Sequence, residues 1–172
     1  TDLVPPEKYL EMVGRKTGAL IDAAMHLGAL VATEDKVKAY AFGKCGRKLG
    51  LAFQIRDDIL GIWGDPKETG KPVGADIRRR KKSLPVVYLL KYAKDNDKKL
   101  LYNIYSGSHE IAEPDVKGVL QIMENLGVRA YCQEMAQEQI VQAKAAIKNL
   151  SISEEAHVIL DAIAEYFVTR KN

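Results

Sequence analysis

Apolar and polar positions recur along this chain with helical spacing, and no stretch alternates convincingly with the two-residue period of a half-buried strand. From Leu49 to Trp63 apolar side chains surround the helical angle almost completely, through Leu51, Phe53, Ile55, Ile59 and Ile62, which predicts a buried helix. Upstream, Pro5-Pro6-Glu7 opens a helix running to about Val31, because proline is tolerated in a first turn and glutamate suits the positive end of the dipole. Thr33-Glu34-Asp35 caps a second, from about Lys36 to Trp63, in which Gly43, Gly46 and Gly50 are either interruptions or close-packing positions. Gly64-Asp65-Pro66 and Gly70-Lys71-Pro72 are turn signals, so the segment from Gly64 to Lys82 reads as a loop without clear secondary structure. Loops of that length are more often functional than inert. Helices resume at Ser83-Leu84-Pro85, with serine as cap, and run to about Lys94, then over 98–105, 114–126, 129–150 and 153–169. The expected fold class is all-α, one unit without repeat or linker.

The apolar helix carries one contradiction. Gln54, Asp57, Asp58 and Gly61 fall at i, i+3, i+4 and i+7, a continuous stripe along one face. Burying an ionised carboxylate without a partner costs several kcal/mol or more, and two neighbouring carboxylates also repel each other. The stripe is therefore expected to face a cavity, with a hard divalent cation or several basic side chains as compensation. Mg²⁺ suits it, being usually held by one or two carboxylates with water and phosphate oxygens.

Composition adds limits rather than direction. The chain has 172 residues, 47% of them hydrophobic, enough for one domain with a substantial core. No apolar run approaches the roughly 18 residues of a membrane span, and the polar, proline-containing start from Thr1 to Glu7 is unlike a signal peptide, so the expected location is cytoplasmic. Cys45 and Cys132 have neither disulfide nor metal spacing and read as reduced, packed thiols. His26, His109 and His157 are too scattered for a metal site, and Trp63 and Tyr88 read as core. The net charge of +3 matters less than its distribution: Lys67, Lys71, Arg78, Arg79, Arg80, Lys81 and Lys82 collect directly after the carboxylate helix. Arg78, Arg79 and Lys82 are as readily solvated surface as ligands. Interleaved aromatics are missing from this run, which argues against a nucleic-acid partner. Lys16-Thr17 lies mid-helix before an apolar segment; the lysine is either a snorkelling surface residue or a point charge for phosphate, with the threonine hydroxyl as donor. Lys71, in a Gly-Lys-Pro turn, and Lys81, just before a helix start, can serve phosphate in the same way.

The order of these elements is more specific than any one of them. Tyr9-Leu10-Glu11-Met12 leading to Lys16-Thr17, then Phe53-Gln54-Ile55-Arg56-Asp57-Asp58-Ile59-Leu60, Gly64-Asp65, Gly70-Lys71, Gly74-Ala75-Asp76-Ile77 and Lys81-Lys82-Ser83-Leu84-Pro85 resemble the trans-isoprenyl diphosphate synthases, the polyprenyl synthetase family. The resemblance is close over residues 9–90 and continues only as helical character beyond. It implies an isoprenoid synthase-type helical bundle, with residues 1–172 as the C-terminal part of a single polyprenyl synthetase domain. It also implies that Asp57 and Asp58 belong to the second aspartate-rich motif and bind Mg²⁺ against the allylic diphosphate. Lys16, Thr17, Gln54, Lys71 and Lys81 would contact diphosphate, with Lys16, Thr17 and Gln54 counted as catalytic. The implied reaction condenses an allylic prenyl diphosphate with isopentenyl diphosphate: the allylic diphosphate ionises, isopentenyl diphosphate attacks the carbocation, and a proton is lost. The family is typically homodimeric.

Two departures qualify the resemblance. Gly61 stands where the pattern commonly has a third aspartate, leaving metal coordination to Asp57 and Asp58 with water in the vacant place. No first aspartate-rich motif occurs; Asp95-Asn96-Asp97, the nearest acidic group, lies on the wrong side of the second motif. A missing N-terminal half or a partner chain is expected to supply that motif, and the 172 residues alone are expected to be inactive. A noncatalytic partner subunit of a full-length synthase is the competing reading, weakened by the retention of costly polar groups that a structural subunit does not need. A class I terpene cyclase is a third, which the Phe53-Gln54, Gly70-Lys71 and Lys81 elements fit less well.

Overall fold

The computed structural model describes residues 4–108 and 110–171, all helices and connections with no strand among them; His109 lies outside the described residues. Helices α1 (Pro6–Val13) and α2 (Ala19–Thr33) are joined without a break by a π-helical turn over Gly14–Gly18. There follow α3 (Lys36–Trp63), α4 (Pro66–Thr69), α5 (Ala75–Arg78), α6 (Leu84–Tyr92), α7 (Asp95–Ser106), α8 (Glu113–Asn125), α9 (Val128–Ile147) and α10 (Glu154–Thr169). The segment read as an unstructured loop thus holds two single-turn helices, too short to show a hydrophobic period.

Contacts sort the chain into two compact units, with α3 running from one into the other. The unit of Leu10–Arg56 and Glu134–Arg170 has a core of Cys45, Leu49 and Ala52 from α3, Ile140, Ala143 and Ile147 from α9, and Ala164 from α10. The glycines of α3 act as packing positions, and the helix is unbroken. A Cβ at Gly46 would lie 2.6 Å from the Ile21 carbonyl oxygen, and one at Gly50 would lie 2.8 Å from Gly18 Cα, so these positions let α2 and the π turn approach α3 backbone to backbone. The start of α3 is fixed by Asp35, whose Oδ1 accepts from the Val37 and Lys38 amides at 2.8 and 3.1 Å. At the end of α10 the Arg56 guanidinium donates twice to the Arg170 carbonyl, at 2.9 and 2.8 Å, and so caps a helix C-terminus.

The other unit comprises residues 4–9, Asp57–Gln133 and Lys171. Its core includes Ile59 and Ile62 from α3, Leu84 and Leu89 from α6, and Val119 and Met123 from α8, all buried. Trp63 and Tyr88 are half-buried rather than core: Arg129 lies over the Trp63 ring, and Tyr88 stacks on Tyr131 at 4.0 Å between centroids. Both cysteines are free and buried, as their packed reading requires. Burial pushes the Cys45 thiol up to about 11.

Candidate diphosphate-binding site

The last turns of α3 and the segment after it build one cluster in this second unit. Asp58 is fully buried, yet each of its oxygens has a partner. Oδ2 accepts from the Tyr9 hydroxyl and, at 3.0 Å, from the Leu84 amide; Oδ1 accepts from Lys81 Nζ at 3.2 Å. Leu84 is the first residue of α6, so the Asp58 carboxylate caps that helix from a distance and meets the positive end of its dipole. The cap expected from Ser83 is absent: the Ser83 side chain makes no capping bond, and its buried hydroxyl has no partner among the described residues. Burial holds the Asp58 carboxyl above the usual carboxylate range, against the downward pull of Leu84, Tyr9 and Lys81. Burial, and then the Asp58 charge, raise the Tyr9 hydroxyl far above its ordinary value.

Asp57 is placed differently. Its side chain is 46% exposed and faces a cavity of about 270 Å³ lined also by Leu60, Gly61, Thr69, Lys71, Asp76, Arg79 and Lys81. The loop edge of this cavity is tied to α3, since the Gly64 and Gly74 amides donate to the Leu60 and Ile62 carbonyls, both at 2.9 Å. Asp65 caps α4, and Gly70 at φ 67° turns the chain so that Lys71 reaches the cavity rim.

Asp76, in the buried turn α5, occupies the place read from the sequence as vacant. A Cβ at Gly61 would collide with Asp76 Oδ2, so the Asp76 carboxylate packs where a side chain at position 61 would begin. Lys81 Nζ lies 3.0 Å from Asp76 Oδ2 and 3.8 Å from Asp57 Oδ2, in addition to its bond to Asp58. The approach to Asp76 is within ion-pair distance but off the hydrogen-bonding axis, which leaves Oδ2 buried without an aligned donor. Burial pulls the Lys81 ammonium down, but Asp76 and Asp58 outweigh it and hold Lys81 above its ordinary value.

The remaining candidates lie in the other unit. Thr17, in the π-helical turn, donates its hydroxyl to Gln54 Oε1 at 3.1 Å, so two residues 37 positions apart meet. Lys16 is exposed on the same turn. π-helical turns recur at functional positions because they re-aim side chains within a continuous helix. Of the seven residues singled out from the sequence, the structure brings Asp57, Lys71 and Lys81 to one cavity, sets Asp58 beneath it, and pairs Thr17 with Gln54. The sequence reading assigned no role to Tyr9, Asp76 or Arg79. For Asp76 a signal existed: a carboxylate between Ala75 and Ile77 in a turn repeats the anomaly that marked Asp58.

A family model described as polyprenyl synthetase matches residues 1–123. The chain belongs to the polyprenyl synthetase family. The match extends beyond residues 9–90, and similarity to individual family members runs further still. The geranylfarnesyl diphosphate synthase of Aeropyrum pernix is 37% identical over 163 residues, which are 94% of this chain and 50% of that protein. The geranylgeranyl pyrophosphate synthetase of Pyrococcus horikoshii superposes with a TM-score of 0.88 at 34% identity, over 99% of this chain and 51% of that one. A geranylgeranyl pyrophosphate synthase of Corynebacterium glutamicum, solved with isoprenyl diphosphate and magnesium, superposes with a TM-score of 0.85 at 27% identity, over 98% and 48%. The fold is that of the polyprenyl synthases, and the chain spans about half the length of the relatives it matches. No helix among the described residues is long and apolar enough to cross a membrane.

Proposed function

We propose that this chain is the C-terminal part of a single polyprenyl synthetase domain, and that it supplies the Mg²⁺ and diphosphate side of an enzyme condensing an allylic prenyl diphosphate with isopentenyl diphosphate. The observation that carries this reading is Lys81 held among Asp57, Asp58 and Asp76 at a cavity that also presents Lys71. At about 270 Å³ the cavity falls below the roughly 300–1,000 Å³ of a whole small-molecule site, which favours a polar head group over an entire isoprenoid.

The residues fit a divalent cation shared with a ligand. Asp57 offers a half-exposed carboxylate, and Asp76 Oδ2 has no aligned donor. Among the described residues no group of three His, Cys, Asp or Glu is arranged to hold a metal alone, so phosphate oxygens would complete the shell. Bound there, Mg²⁺ supplies electrophilic stabilisation to the charge that gathers on a departing pyrophosphate. Asp57 is the metal ligand in this reading, and Asp58 positions Lys81 and the start of α6. Lys71 and Lys81 bind diphosphate at the cavity. The family pattern assigns Lys16, Thr17 and Gln54 to diphosphate as well, and the Thr17–Gln54 bond supports a joint role for that pair.

Asp57→Ala is expected to weaken Mg²⁺-dependent pyrophosphate binding at least tenfold while shifting the unfolding midpoint little, because the group is half-exposed. Equal affinities for variant and parent by calorimetry would refute the assignment. The isolated chain is expected to form no product from an allylic diphosphate, isopentenyl diphosphate and Mg²⁺, since the first aspartate-rich motif lies outside it; chain elongation by the purified chain would overturn that. In the complete enzyme we place this segment in a cytoplasmic homodimer, which sedimentation of the full-length protein and its distribution on cell fractionation check.

A further inference from the structure

Three consecutive arginines, Arg78, Arg79 and Arg80, stand in the basic run, and the backbone sends them three ways. Arg78 ends α5 and pairs with Glu113 at 2.5 Å. Arg80 has a left-handed backbone at φ 50°, and its Nε donates to the Ile104 carbonyl at 2.6 Å. Arg79 sits between a helical end and that left-handed residue, with φ −87° and ψ 2°, and its side chain lines the cavity that holds Asp57, Lys71, Asp76 and Lys81. Its guanidinium has no hydrogen bond or ion pair among the described residues.

Charge decides what such a residue does there. Asp57, Asp58 and Asp76 gather at Lys81, and with Lys71 and Arg79 at the same cavity the formal charges are three negative and three positive. Without Arg79 the site is net negative and resists an incoming anion. With it the site is neutral before any metal binds. Two of the three cations are ammonium point charges; a guanidinium adds a planar fork able to donate two parallel bonds to one phosphate.

We propose that Arg79 is a diphosphate ligand of this site, gripping the phosphate through its fork while Lys71 and Lys81 act as point charges. The proposal rests on the diphosphate-binding reading above and decides a residue that the sequence left open between solvated surface and ligand. In a synthase the same contact stabilises the pyrophosphate as it leaves, since its negative charge rises when the carbon–oxygen bond breaks.

The test is calorimetric titration of the full 172-residue chain with inorganic pyrophosphate in Mg²⁺, alongside Arg79→Ala, Arg79→Lys and the control Arg78→Ala. The expected result is a loss of about tenfold to a hundredfold for Arg79→Ala, an intermediate loss for Arg79→Lys, and parental affinity within about twofold for Arg78→Ala. The unfolding midpoint of Arg79→Ala should match the parent, because the side chain is exposed and unpaired. If the parent binds and Asp57→Ala does not, yet Arg79→Ala equals the parent, Arg79 is a solvated surface residue and the proposal falls alone. Absence of pyrophosphate binding by the parent overturns both the proposal and the reading beneath it.

Discussion

Replacing Asp58 with alanine separates the two roles that adjacent carboxylates on one helix can play. The substitution removes the acceptor of the Tyr9 hydroxyl and of the Leu84 amide, both in fully or nearly fully buried residues, exposed 6% and 0%. A buried donor left without an acceptor costs about 1–3 kcal/mol, so two of them set a range of about 2–6 kcal/mol. Losing the Lys81 contact adds little, because that ammonium is 42% exposed and keeps Asp76 and water. Relief of the buried charge, whose cost shows in the raised Asp58 pKa, pulls the total toward the lower end, about 2–4 kcal/mol. Against a total stability of about 5–15 kcal/mol that is a large fraction, and at about 2–4 °C per kcal/mol it lowers the melting temperature by roughly 4–16 °C. Asp58→Asn keeps an oxygen for Tyr9 and Leu84 and should lose less than half as much. Urea and thermal unfolding followed by circular dichroism at 222 nm measure both. A melting temperature for Asp58→Ala within about 1 °C of the parent refutes the capping argument, and so does an asparagine variant as unstable as the alanine one.

Two further expectations concern the other unit. Gly46→Ala should destabilise by about 1–3 kcal/mol, since its Cβ meets the Ile21 carbonyl, whereas Gly28→Ala, with nothing within 4 Å, should stabilise by about 0.5–1 kcal/mol; denaturant midpoints in the opposite order would contradict the packing account. Cys45, pushed up from 9.0 to about 11 by burial, favours the neutral thiol in the folded state, so its contribution to stability is full below pH 9.0 and is lost as pH rises through about 11. Iodoacetamide at pH 8 should label native Cys45 far more slowly than the urea-unfolded chain, and the unfolding midpoint should decline across that alkaline window; native labelling at the unfolded rate counts against the burial.

The carboxylate helix was legible because two charges in an apolar run violate the pattern around them. Which of the two faces the cavity was not, since adjacent residues differ by only about a hundred degrees around the helix axis. That choice is made by Tyr9 and the Leu84 amide, groups 49 and 26 positions away, and no local spacing encodes them. Long helices showed their period, but α4 and α5 are single turns whose existence depends on Asp65, Gly70 and the anchoring of Gly74 to α3. The π turn escaped for a related reason: it shifts hydrogen-bond register without breaking helical continuity, so its sequence trace is only the pair of glycines that let it approach α3.

Gly61 shows the limit most clearly. Read along the chain, it is a carboxylate missing from a motif; in space it is the absence of a side chain that gives room to Asp76, fifteen residues later. The third carboxylate of the cluster thus comes from a turn, beside the two that α3 supplies. The α5 turn carries Asp76, and Arg79 and Lys81 follow it directly, all three lining the cavity. A substitution in that turn consequently changes carboxylate and cation placement together. One short segment thus joins a carboxylate to two cations, and it shares with the Asp-Asp helix the placement on which the proposed chemistry depends.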